Sequence, residues 1–193
     1  NPGKGIARDF PEAERNYDAF TFYVMKEFSE CWLLQGSYTL SWLEGNYAGL
    51  FRPETAQLDP NINSDFDLKS LTVNRYGPLP GDTRHQFKVF GAHDVELAKG
   101  HHLLPGYGLT LRSGGPTNYL ASHPLYGSDE VFLLPRGSGE RLPWVASIDL
   151  SLGYQVQVTD SFSLGFTVEV FNVFNFQTVT SRSQRYTNGD ANP

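Results

Sequence analysis

One cysteine and one methionine stand among 193 residues. The lone Cys31 excludes an internal disulfide and a thiolate metal cluster, both of which need more than one thiol. Basic residues are outnumbered, 15 against 21 acidic ones for a formal net charge of -6, which argues against a general nucleic-acid binder because that class carries a basic face. No stretch reaches the roughly 20 consecutive apolar residues of a membrane helix. The chain opens Asn1-Pro2-Gly3 without a secretory leader, so the expectation is a processed precursor or a piece of something longer. Nucleophile elbow, phosphate loop and zinc spacing are missing, and no cofactor is expected.

What is present is alternation. Stretches at about 17–28, 31–44, 84–96, 102–112, 145–159 and 161–174 place apolar and polar residues at period two, the spacing of a strand with unlike faces. The return strand of the first pair sets Trp32, Leu34, Gly36, Tyr38, Leu40 and Trp42 against Gln35, Ser37, Thr39 and Ser41. The last pair is the clearest, with Ile148, Leu150, Leu152, Tyr154 and Val156 opposing Ser147, Asp149, Ser151, Gly153 and Gln155. Its partner sets Phe162, Leu164, Phe166, Val168 and Val170 against Ser163, Gly165, Thr167 and Glu169. Pro105 and the glycines around it predict a kink or bulge in the fourth strand, since proline removes a ladder donor.

A half-buried soluble sheet shows the same period, so length and connections must decide. Strands of globular proteins run to about 5 or 6 residues, whereas crossing hydrocarbon takes about 9 to 11 tilted ones, and these stretches are of the longer kind. Trp32, Trp42, Phe162 and Phe174 fall near strand ends, where interfacial aromatic girdles sit. The connections run short, long, short, long, short, as in a membrane barrel with tight inner turns and extended outer loops. Long loops are placed at Glu44–Arg84, Ser113–Trp144 and from Asn172 onward, as structureless connections that a compact domain would not carry without a function. The fold class expected is all-β, an antiparallel meander of about six long strands forming part of a transmembrane β-barrel. Six strands cannot close, because membrane barrels begin at about eight, and open edges in lipid cost several kcal/mol per unpaired group. A larger barrel must supply the rest.

Several segments resemble a known family. Arg15 to Ala19, SYTLSWLEGNYAGL from Ser37 to Leu50, GPLPGDTRHQFK from Gly77 to Lys88, SGGP from Ser113 to Pro116, RGSGERLPW from Arg136 to Trp144 and FNVFNFQ from Phe171 to Gln177 are similar, in their order and spacing, to the C-terminal barrel region of TonB-dependent outer-membrane receptors of the Oar-like kind. The resemblance spans nearly the whole chain and implies that residues 1–193 are a partial C-terminal barrel domain. It also implies a complete barrel of about 22 strands in the bacterial outer membrane, with outer-membrane lipid, the remaining strands, an N-terminal plug domain and the TonB complex as partners. In such receptors the outer loops and upper lumen meet the ligand. Here those regions hold Arg112, Asn118, Tyr119, Tyr126, Arg136 and Arg141 as candidate ligand-binding residues.

Other constellations carry weaker chemistry. Asp59, Asn61, Asn63, Asp65 and Asp67 space oxygen donors as calcium loops do, but Ser64 stands where an EF-hand needs glycine and Ser70 where it needs glutamate, so an Asx-rich turn is the plainer reading. His101 and His102 adjoin a turn and point to opposite faces, which disfavours a shared metal. Asp149 and Glu169, on neighbouring strands, suggest a glycosidase pair, and carboxylates in a wet lumen explain them equally. Two rivals to the membrane wall stay open: a soluble β-sandwich binding glycans through Trp144, Tyr119 and Tyr126, and a glycoside hydrolase using Asp149 and Glu169. No catalytic residue is assigned on the preferred reading.

Overall fold

The computed structural model describes residues 10–56, 59 and 64–186. Six long strands pair antiparallel in chain order: β1 (Arg15–Ser29), β2 (Trp32–Gly45), β4 (His85–His93), β6 (His101–Arg112), β9 (Val145–Thr159) and β10 (Phe162–Val170). A short β3 (Gly77–Pro78) pairs with the end of β2, and β5 (Val95–Ala98) continues the line of β4 along β6. Apart from this sheet, β7 (Leu120–His123) and β8 (Gly127–Phe132) form a hairpin. Among the described residues no helix is long and apolar enough to cross a membrane.

The ladder registers decide which residues share a face. Phe22 pairs with Tyr38, Tyr38 with Phe87, Phe87 with Leu111, and further down the sheet Gly91 pairs with Tyr107, Tyr107 with Leu150 and Leu150 with Val170. One apolar face therefore runs unbroken across six strands. The opposite face aligns Thr39 with Gln86, Lys88 with Thr110, Thr110 with Ser147, and Ser151 with Glu169. Among the described residues no second layer covers the apolar side: Phe20 is 69% exposed and Phe166 67%. A sandwich would have buried these side chains, because apolar surface in water costs about 25 cal/mol per Å². The second layer that the soluble-sandwich alternative needs is not formed by the described residues, and a sheet with one greasy and one polar face is what a lipid-to-water wall requires.

Two expectations on detail change. The last strand stops at Val170 rather than near 174, because Asn172 and Asn175 take positive φ and the Asn172 side chain holds Phe176 in a tight turn. Pro105 does not kink its own strand: its ladder with β9 runs straight through Leu152. The irregularity falls in the neighbour, where β4 ends at His93 and β5 begins at Val95. There Asp94 donates its amide to the Cys31 carbonyl at 2.7 Å, in line with the β2 ladder that pairs Trp32 with His93.

All the short turns lie at one end of the sheet and all the long connections at the other. The turn at Glu30 and Cys31 has both residues at positive φ, the two-residue geometry whose twist suits a hairpin. At the opposite end, the connections expected to be structureless are folded into a cap. It contains the β7–β8 hairpin, two 3-10 turns at Pro53–Thr55 and Lys69–Thr72, and every buried large apolar side chain among the described residues: Leu71, Leu79, Leu120 and Phe132.

Candidate functional site

The cap is held by charge. Arg52 lies on Asp65 at 3.0 Å and on Glu130 at 2.6 Å, Arg75 also pairs with Asp65, and Arg136 pairs with Glu54. Ser64 donates its hydroxyl to Glu130 at 2.6 Å, and Arg136 donates Nε–H to the Arg75 carbonyl at 2.8 Å. Both Arg75 and Arg136 set their guanidinium carbons against the Phe132 ring, at 4.9 and 4.5 Å, a cation–π contact strengthened by exclusion of water. Burial dominates the electrostatics: it pulls Arg75 down to about 10, lowers Arg136 as well, and raises the Asp65 carboxyl despite the attraction of Arg52 and Arg75. Ion pairs this dry are stable as a set but costly to break one partner at a time.

The candidate ligand residues divide in this light. Arg136 is enclosed and committed to Glu54; Arg141 is committed to Asp82 and to the Gly114 carbonyl; Asn118 is buried, donating to Gln184 at 2.9 Å and accepting from the Gly137 amide. These three knit one loop to another. Tyr119, Tyr126 and Arg112 remain exposed. Partial desolvation and a hydrogen bond with Asp67 push the Tyr126 phenol up, and Arg112 sits on the polar face opposite Gln86. Asn118 and Tyr119 line an open cleft of about 460 Å³ with Glu140, Arg182 and Gln184. Trp144 belongs elsewhere: it stacks on His85, which is hydrogen-bonded to Tyr38 at 2.9 Å, at the loop end of the apolar face.

In the spaced-oxygen stretch, Asn61 and Asn63 lie outside the described residues, Asp65 contacts two arginines and Asp67 contacts Tyr126. No group of three or more His, Cys, Asp or Glu suited to a metal occurs among the described residues. His101 bonds Tyr154 at 2.6 Å on the apolar face, whereas His102 bonds Asp94 at 2.6 Å on the other. Asp149 accepts hydrogen bonds from the Ser147 hydroxyl and the Asn172 amide, each 2.8 Å. The Arg52, Asp65, Arg75, Glu130 cluster escaped the sequence reading because its members are 10 to 78 residues apart and follow no period. The one local sign was arginine next to proline, glycine or a turn asparagine, as in Arg52-Pro53, Asn74-Arg75 and Pro135-Arg136-Gly137.

With this geometry in place, comparison with known proteins is specific. The whole chain is 49% identical to part of the TonB-dependent transporter Oar of Myxococcus xanthus. It spans about 18% of that protein's length. No family model matches the chain. No solved structure matches it either.

Proposed function

Starting from homology along its whole length to a segment of a TonB-dependent transporter, which implies the bacterial outer membrane as its location, we propose that the chain is a stretch of barrel wall, with its folded cap, from an outer-membrane receptor that binds and moves a substrate. On this reading residues 1–193 belong to the C-terminal barrel domain, and they serve transport rather than catalysis. The supporting observation is the apolar face that continues across six strands with none of the described residues packed on it as a second layer. Outer-membrane lipid covers that face, and further strands of the parent protein take up the free edges of β1 and β10, since neither edge tolerates hydrocarbon unpaired. A plug domain and the TonB complex complete the machine, as they would for the Oar relative. Nucleic acid has no place in it.

For substrate, Tyr119, Tyr126 and Arg112 are the contact residues, because their side chains reach solvent at the loop end. Asn118, Arg136 and Arg141 keep the surface on which they stand in shape. Single cysteines placed in turn at Leu150, Ser151 and Leu152 of the full-length protein in liposomes, with Cys31 replaced, test the facing. A membrane-impermeant maleimide labels position 151 and spares 150 and 152 if the wall is oriented this way. Equal labelling at all three positions contradicts it.

A further inference from the structure

Two phenylalanines stand beside the polar face. Phe90, 47% exposed, belongs to the side whose other members include Lys88, Thr110, Asp149 and Glu169, and Phe171, 72% exposed just past the end of β10, lines the same hollow. Between them the sheet is stripped to glycine. Phe90 pairs with Gly108, and Gly108 pairs with Asp149, so ring, gap and carboxylate lie in one row across three strands. A Cβ on Gly108 would touch the Phe90 ring at 3.4 Å and the Asp149 Cβ at 3.8 Å; the glycine leaves room for the ring to lie toward the carboxylate. In the adjacent row Ala92, Gly106, Ser151 and Glu169 follow one another. The result is a hollow of about 280 Å³ with a glycine floor, aromatic ends and two acids.

Its charge is uncompensated from within. Asp149 Oδ1 is engaged by Ser147 and Asn172, neither of them charged, and Glu169 has no hydrogen-bond or ion-pair partner among the described residues. Lys88 and Arg112, the cations on the same face, stand farther toward the loop end, opposite Thr110 and Gln86, and pair with neither acid. Aromatic faces attract cations through their quadrupole, and carboxylates in a recess accept charge-assisted bonds from guanidinium or ammonium. A neutral sugar would use the rings but would leave the acids without a counter-charge.

We propose that Phe90, Asp149, Glu169 and Phe171 form a binding site for an organic cation, a guanidinium or ammonium group, on the water-facing side of the wall. The proposal rests on the transporter-wall reading, which makes this face the aqueous one. The cation comes either from a solute in the lumen or from another segment of the same full-length protein, and the test separates the two. 4-Fluorophenylalanine at position 90 of the full-length protein in detergent is followed by fluorine NMR, with Nα-acetyl-L-arginine methyl ester as probe and Nα-acetyl-L-citrulline methyl ester as its neutral counterpart. A saturable shift with the arginine ester alone, whose midpoint rises about tenfold in Glu169→Gln as loss of one charged hydrogen bond predicts, assigns a soluble cation. A resonance that ignores the probe but moves in Glu169→Gln without any ligand assigns a cation supplied by the protein itself. No response to either, or equal responses to the arginine and citrulline esters, overturns the site. Broadening of the same resonance by a water-soluble paramagnetic agent tests the facing separately, so a dry Phe90 would sink the wall reading rather than the chemistry.

Discussion

The wall and the cap of this molecule obey opposite burial rules. In the wall, large apolar side chains such as Phe20, Phe22, Phe166 and Val168 lie open and the polar groups face the other side; in the cap, the fully buried side chains include Arg52, Arg136, Asp65 and Asp82 beside Leu71, Leu79 and Leu120. The difference follows from what each region meets. A strand that borders hydrocarbon gains nothing by hiding phenylalanine, and its coherence comes from ladder hydrogen bonds that lipid cannot replace. Loops in water must build an interior from few apolar residues, and here they do it with ion pairs that hold segments distant in sequence. Hydrophobic content alone, at 39%, would not have separated the two.

The sharpest way to break this comparison is to remove one member of the cap's charge set. Arg136→Met strands the buried Glu54 carboxylate and should cost about 3 to 5 kcal/mol, read as rapid proteolysis within residues 113–144 of the full-length protein while the barrel stays folded. If the barrel unfolds with the cap, the two regions are not separable as described. Next comes the wall: Leu150→Arg should cost about 2 to 4 kcal/mol near mid-membrane, and Ser151→Arg far less, measured by the denaturant dependence of the heat-modifiable gel shift. Equal losses would erase the distinction between faces. Gly114→Ala sharpens the cap further, since a Cβ there runs into the Leu142 carbonyl; a loss of about 1 to 3 kcal/mol in resistance of the cap to proteolysis is expected for such overpacking. The smallest effect belongs to Arg185→Ala. Its bond to Asp129, at 2.7 Å, is solvent-exposed on the arginine side, and exposed pairs contribute about 1 kcal/mol or less, so cap stability should shift little and less still at high salt.

Much of the wall was legible because a period of two is a local property. The stripe through Ile148, Leu150 and Leu152, and its continuation in Leu164, Phe166 and Val168, needs only neighbouring residues to be seen, and the registers place those stripes side by side. The loop asymmetry was equally plain. What escaped was decided by partners remote in sequence. Pro105 predicted a kink in its own strand, yet the break passed to Asp94, whose amide found Cys31. The cap looked structureless because its order rests on Arg52 reaching Glu130 and Arg136 reaching Glu54, and nothing near any of these residues names the other. For the same reason the internal partners of Arg136, Arg141 and Asn118 could not be foreseen: a polar side chain on a predicted outer loop looks free until its partner is known. The row of Phe90, Gly108 and Asp149 likewise follows from the register and from no local pattern.

The bridge from Arg136 to Glu54 joins positions 82 apart in the chain, whereas β1 meets β2 and β9 meets β10 through turns of a few residues. Hairpins of that kind close early, and contacts across long separations wait until the intervening chain has been arranged, because loop closure costs entropy that only later contacts offset. By that argument the clasp fastens after β4 and β6, the wall strands between its two ends, stand side by side. A misordered wall would leave it unfastened, with three arginines and three carboxylates bare to proteases, so that assembly errors advertise themselves on the outer rim.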